Sequence, residues 1–457
     1  MQIKEFLNCI CEQIKYKPVR EEISKELEDH INDIKEDLIS SGMNHKKAEE
    51  QAIKQMGNAE EIGKRLNKIH HPKFDWQLAI ITLVLMIFGF VVAFTKTSNV
   101  VIEESNYNFW VRFIIFTAIG SLFGIGIYFI DYKKILKYST PIYMISTGIV
   151  LYSLFFGAHI NGIPFIRVGI IFFSASVISV PLYIISFVGY LVNKNLNDVK
   201  ELKIFNEQFK IKYNILKLII LSCISIFMFL LIPSIASAIV LLLSYLILST
   251  KKIILTSQEK VKKLLKLWGT ILILGMVLMI SIFGCVPYKI SRIEAIINPE
   301  KYANAEGWQA LNRKLIINSA QAFGEAEDTG NALDLFDEGD NFAFISILAH
   351  YGWVLSIALV ISVIAFSVKL ILDSIKMKEE YGGLLILGIS TMFILESLFN
   401  ILMNLNLWIE ANFNIPFISY GGSSMIINLT LLGFIMAIYK KKDVYMYEKS
   451  EVLERLE

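Results

Sequence analysis

The residues with chemistry to offer fall in two places. "IPFISYGGSSMI", residues 415–426, sets Ser419, Tyr420, Gly421, Gly422, Ser423 and Ser424 at the head of an apolar run. Hydroxyls there can bond to a neighbouring helix or a polar ligand, and the glycines let a second backbone approach closely. Earlier, Glu325 to Asp340 carries seven carboxylates and no Lys or Arg. Such a run is either a solvated, self-repelling loop or a divalent-cation or substrate site. "DEGDN" (Asp337 to Asn341) has oxygen ligands for a hard cation but not the full spacing of a calcium loop. Upstream stand Trp308 and Gln309, then an apolar stretch, Leu315 to Asn318, that would return to the membrane surface.

A membrane bundle must position these groups. The 457 residues are 54% hydrophobic, 12% aromatic and only 19% charged, with mean hydropathy +0.54, whereas soluble domains carry roughly 25% charged residues. Net charge is +2, and no nucleic-acid partner is expected. Ten stretches have spanning length, about 77–95, 110–130, 138–157, 169–192, 214–232, 234–250, 267–286, 342–368, 383–403 and 417–438; a span needs roughly 17–25 residues. The fold class is therefore an all-α, polytopic membrane protein. Loops after the even spans hold Lys133, Lys134 and Lys137, then Lys194 to Lys212, Lys251 to Lys266, Lys376 and Lys378, and Lys440 to Lys442. The excess of positive charge on one side predicts cytoplasmic termini. Loop 287–341 then lies outside the cell.

Residues 1–72 are different in kind, charged and without a signal-peptide apolar core. Ile23, Leu27, Ile31, Ile34 and Leu38 mark one helical face that Gly42 ends; Asn44 is placed to cap the next helix, with Ala48, Ala52, Ile53 and Met56 on its inner face, and Ile62 and Leu66 carry a last one. The expected organisation is a cytoplasmic helical prefix domain at 1–72, a membrane domain at 77–440 and a cytoplasmic tail at 441–457. Four cysteines lack metal or disulfide spacing. No cofactor is expected beyond the possible divalent cation. His159 and His350 fall at membrane boundaries, where hydrogen-bonded structural roles are common; Glu396 is an intramembrane carboxylate, either a functional group or a protonated helix contact.

The segment 415–426 resembles the C-terminal signature of the FtsW, RodA and SpoVE proteins, the SEDS family of cell-wall glycan polymerases. The likeness runs over about 77–440: ten spans, the long loop between spans seven and eight, "GWQ" at Gly307 to Gln309, Asn161 and Gly162 after span three, and Arg112 opening span two. The prefix resembles one found ahead of assorted bacterial membrane proteins. The resemblance implies a site made of Arg112, Trp308, Gln309, Ser419, Tyr420, Gly421, Gly422 and Ser423. It also implies a reaction, the joining of the lipid II disaccharide to a glycan strand with undecaprenyl pyrophosphate leaving, in company with a single-pass penicillin-binding protein.

The ionisable positions depart from the family pattern. The base of a Thr-Asp-Phe triplet becomes Asn341 in Asp340, Asn341, Phe342; the Gly-Glu-Glu that follows becomes Leu348, Ala349, His350. Span four has "SASVISV" (Ser174 to Val180) for Gln-Pro-Ser-Glu-Leu-x-Lys, and "IPSIA" (Ile232 to Ala236) puts Ser234 where the family has Asp. An amide cannot accept a proton. The expected function is that of a divergent, non-catalytic or weakly catalytic relative that binds a lipid-linked precursor or a partner. The alternatives are an active polymerase using Asp340 and, third, a lipid or small-molecule transporter with Glu396 or Asp131 as its ion-coupling group.

Overall fold

The structure is a computed structural model describing residues 2–15, 20–69, 73–99, 108–160, 163–169, 171–192, 201–204, 209–232, 234–256, 269, 294, 297–303, 307–327, 340–409, 411–419 and 421–442. The chain divides into two units, one of Met1–Asp75 with Ile438–Glu457, the other of Trp76–Ala437.

The first unit is a four-helix bundle of α1 (Ile3–Gln13), α2 (Arg20–Ser40), α3 (His45–Met56) and α4 (Ala59–Ile69). Its core joins Phe6, Leu7, Ile10 and Ile14 to the predicted face of Ile23, Leu27 and Ile31, and to Ala52, Ile53, Met56, Ile62 and Leu66. The contribution of α1 escaped the periodicity argument because its apolar positions are interleaved with Cys9 and Cys11. Gly42 and Gly57 end α2 and α3 with φ of +96° and +94°, a backbone region that glycine enters at no steric cost. Asn44 sits at the N-cap of α3, but its side chain makes no capping bond. Lys35 reaches Glu49 at 3.0 Å across α2 and α3, and its hydrogen bond holds the Glu49 carboxyl below the usual range. Ile31 is fully buried, so Ile31→Ala should cost about 2–5 kcal/mol. A domain this small rarely has more than about 3–5 kcal/mol to lose. The expected result, read by circular dichroism of the separately expressed prefix, is a cooperative melt for the unaltered sequence and its near-complete loss in the variant.

In the second unit eight helices are long and apolar enough to span a membrane: α5 (Trp76–Asn99), α6 (Phe109–Tyr128), α7 (Ser139–Phe156, extended back to Tyr132 by a short turn), α8 (Ala175–Val192), α10 (Ile235–Thr256), α12 (Ala343–Lys376), α13 (Glu380–Asn404) and α14 (Gly422–Tyr439). Between α8 and α10, α9 (Tyr213–Leu231) has a shorter apolar stretch, Lys217–Leu231. The expected seventh span, 267–286, apart from Gly269, and Pro233 lie outside the described residues. The protein is thus a mostly helical, multi-pass membrane protein.

Helix α13 is central, packed against α12, α8 and α10, while α12 also packs on α5 and α7 on α8. Its serines stay satisfied in this apolar setting by bonding back one turn, Ser390 to Ile386 O and Ser397 to Phe393 O.

Three expectations need correction. The fourth span begins at Ala175 rather than 169, because β2 (Ile163–Val168) pairs antiparallel with both β1 (Ala158–Ile160) and β3 (Ile171–Ser174). Gly169 turns between the strands at φ +63°, and a short apolar run cannot by periodicity alone be told from a helix. A second antiparallel pair, β4 (Glu201–Ile204) with β5 (Phe209–Lys212), lies in a stretch read as loop. The eighth expected span also extends: helix α12 runs on past residue 368 to Lys376, and Lys369 meets Asp373 at 2.6 Å, both buried.

Candidate functional site

At one end of the second unit, α12 is broken. Gly352 has φ +82° and ψ −174° inside the span, and a break in a membrane helix leaves N–H and C=O groups that lipid cannot satisfy. The segment 320–326 supplies the missing partners. Trp353 N–H donates to Gln321 O (3.0 Å), Val354 N–H to Ala322 O (3.1 Å), and Ala326 N–H to Ala349 O (2.7 Å). Ala343 to His350, on the near side of the break, are buried on every face. Tyr351 hydrogen-bonds Thr95 of α5 at 2.7 Å.

Asparagines at the end of α13 fix the turn that enters this half-helix. Asn400 and Asn404, both fully buried, donate from their amides to Asn341 O at 2.8 and 3.1 Å. Asn400 also donates to Phe413 O (2.6 Å), and Asn404 to Asn400 O (2.9 Å) and Oδ1 (3.0 Å). With its nitrogen facing three oxygens, the Asn404 amide has one sensible orientation. Its Oδ1, like those of Asn341 and Asn414 and the Ser419 hydroxyl, is buried without a hydrogen-bond partner among the described residues. Asn406, at φ +58°, accepts from Arg313 Nε (2.7 Å) and donates to Ala310 O (2.8 Å), tying down α11 (Trp308–Ser319). The buried Arg313 guanidinium lies 6.0 Å from the Phe342 ring centre. These contacts gather α11, the 340–342 turn and the end of α13 around one polar cluster. Such a cluster accepts hydrogen bonds and presents one cation.

The sequence-predicted residues divide sharply. Asn341 is in the cluster, and Asp340 shares its 3₁₀ turn. Trp308 is exposed and Gln309 half-buried in the first turn of α11, whose buried face is instead Ala310, Arg313 and Ile316. The apolar stretch 315–318 is part of that helix. Arg112 is exposed at the start of α6. Ser419 and Ser423 are buried, and Gly421 O accepts the first-turn bond from Met425 N–H of α14. Gly422 packs so tightly on α6 that a Cβ would lie 2.5 Å from the Phe116 ring; further along, Gly124 and Gly433 leave no room for one either. Much of the Ser-Gly signature thus packs α14 on α6. Tyr420, Asn161 and Gly162 lie outside the described residues. So does most of the acidic run, and among the described residues no cluster of His, Cys, Asp or Glu can hold a metal. Exposed Glu294, beside Tyr302 and Lys301, has its carboxyl held below the usual range by the Tyr302 hydroxyl and then the Lys301 ammonium.

The model of the FtsW/RodA/SpoVE family, described as cell cycle proteins, matches residues 75–444. The chain belongs to the FtsW/RodA/SpoVE family. Curated relatives include the probable peptidoglycan glycosyltransferase FtsW of Thioalkalivibrio sp., 28% identical over 165 residues, or 35% of this chain and 41% of that one. The chain thus spans about two fifths of that relative's length. The FtsW of Haemophilus ducreyi is 22% identical over 375 residues, 80% of this chain and 89% of the relative. Among solved structures, a chain from a peptidoglycan synthase complex that coordinates polymerization and crosslinking superimposes with a TM-score of 0.64 at 18% identity, covering 82% of this chain and 99% of that one. Thermus thermophilus RodA gives 0.54 at 16% identity, covering 82% and 98%. These likenesses establish the FtsW/RodA fold.

Arg313, Asn400, Asn404, Asn406 and Gly352 were missed in the sequence. A signal existed for two of them: asparagines four apart in an apolar span stack on one helical face, and polar residues there are costly enough to be functional or paired.

Proposed function

We propose that this family member binds lipid II, or another polyprenyl-linked saccharide, beside a single-pass penicillin-binding protein, and polymerises glycan weakly or not at all. The names of the FtsW relatives and the peptidoglycan synthase complex support the pathway and the kind of partner. Asn341 carries the catalytic part of the reading. It stands where the resemblance puts a general base, its backbone is pinned by Asn400 and Asn404, and its amide can accept a hydrogen bond from a sugar hydroxyl without taking the proton. General-base catalysis contributes about 10²- to 10⁴-fold, so its absence alone would bring turnover near background. Val177, Ala349, His350 and Ser234, at further departures, leave no carboxylate in their place; Ser234 is buried and bonded to Ser237 at 2.8 Å. Purified protein given lipid II should bind it and release no glycan chains above background; robust chain formation would overturn the reading.

Orientation belongs to the same proposal. Lys133, Lys134 and Lys137 follow α6, Lys251 and Lys252 end α10, Lys376 ends α12 and Lys378 follows it, and Lys440 to Lys442 follow α14; with the expected seventh span at 267–286 counted, chain parity brings all of them to one side. The positive-inside rule puts that side, with the prefix, in the cytoplasm. Exposed Phe323 and Tyr138 serve as reporters. A membrane-impermeant thiol reagent applied to cells should label Phe323→Cys and spare Tyr138→Cys; the reverse pattern would invert the topology.

A further inference from the structure

The prefix bundle carries a groove of about 660 Å³ between α1, α3 and α4. Phe6, Ile53 and Ala59 give it an apolar lining, Glu50 and Lys54 stand one helical turn apart at its edge, and exposed Cys9 opens onto it. Two observations bear on what covers it. Residues 438–442, the end of α14 and the turn after it, group with the prefix, and Lys73 N–H donates to Lys440 O, so the chain leaves α14 already tied to the end of the prefix. Fifteen residues follow Lys442. Wound as a helix they reach about 22 Å; the groove lies at the start of α4, whose 11 residues span about 16 Å, so it is within reach from the end of the prefix.

The sequence of that segment, 443–457, matches the groove. At 100° per residue, Tyr445, Met446, Val452, Leu453 and Leu456 fall on one stripe, with Glu448, Glu451, Glu454 and Glu457 around the opposite side. Lys449, which falls within the stripe, and Arg455, beside it, provide counter-charges for Glu50, and the carboxylates provide them for Lys54. We propose that residues 443–457 dock as an amphipathic helix in the groove, with the Val452, Leu453 and Leu456 stripe on Phe6, Ile53 and Ala59. The occupant is this chain's own segment because its tether keeps the local concentration far above that of a free partner.

Cys9 makes the test direct. In the full chain in detergent, with Cys11→Ser, Cys223→Ala and Cys285→Ala, mild oxidation should join Cys9 to the cysteine of Leu453→Cys within one chain, about tenfold faster than to that of Glu454→Cys on the opposite face. The two variants share the same tether, so their ratio reads docking rather than proximity. Equal rates would mean a loose tail and would overturn the proposal. So would the absence of any cross-link, or cross-links formed mainly between differently tagged chains, which would make a second copy the occupant.

Discussion

The Asn341→Asp variant is expected to polymerise no more lipid II than the unaltered protein, while still accumulating in the membrane. Restoring a carboxylate restores only one part of what the reaction needs. The variant carboxylate would sit in a half-buried position, where desolvation disfavours the charged form that must take the proton. The positions that would complete the electrostatics, Val177 in α8 and Ser234 ahead of α10, remain uncharged. Folding should survive the change. The bonds from Asn400 and Asn404 reach the backbone oxygen of residue 341, not its side chain. Asp340→Ala should likewise be silent, since the resemblance puts the base at residue 341 and not at 340. Gel analysis of labelled lipid II decides the matter. Abundant glycan from the unaltered protein, abolished by Asp340→Ala, would make Asp340 the base and the chain an active polymerase. A rise of about 10²-fold or more in Asn341→Asp would show that the rest of the machinery is intact.

The spans were legible because a bilayer imposes one length and one composition on every helix that crosses it. Leu, Ile and Phe faces of α5, α6 and α13 therefore announced themselves. What escaped was whatever depends on partners distant in sequence. The apolar residues 171–173 pair as a strand because β2 is beside them, a fact that composition does not carry. Arg313 is buried because Asn406, 93 positions on, accepts its Nε–H; from sequence it was one charge in a long polar loop. Trp308 drew attention as an aromatic beside Gln309, yet the face of α11 that turns inward is set by Ala310, Arg313 and Ile316. The Ser-Gly signature was found easily, since glycines and hydroxyls in an apolar run are conspicuous. Its packing role became visible only with Phe116 against Gly422.

Gly352→Ala should loosen the segment that crosses the break in α12 without removing the helix itself. The backbone there, φ +82° and ψ −174°, is glycine territory, and a side chain costs about 1–3 kcal/mol. Space is denied as well: an added Cβ would sit 2.6 Å from Gln321 O and 2.9 Å from Ala322 O. The chain relieves both by letting α12 run straight through. In a continuous helix Trp353 N–H bonds to Ala349 O, four residues back, instead of to Gln321 O, so its amide stays protected. Ala326 N–H, which now holds Ala349 O at 2.7 Å, loses that acceptor to Trp353. Hydrogen exchange followed by mass spectrometry should therefore show peptides around Ala326 exchanging about 5- to 150-fold faster, the factor that 1–3 kcal/mol buys at 1.36 kcal/mol per decade. Peptides around Trp353 should change little. Unaltered exchange at Ala326 would mean that the break tolerates a side chain and that the 320–326 segment is held by something other than the broken helix.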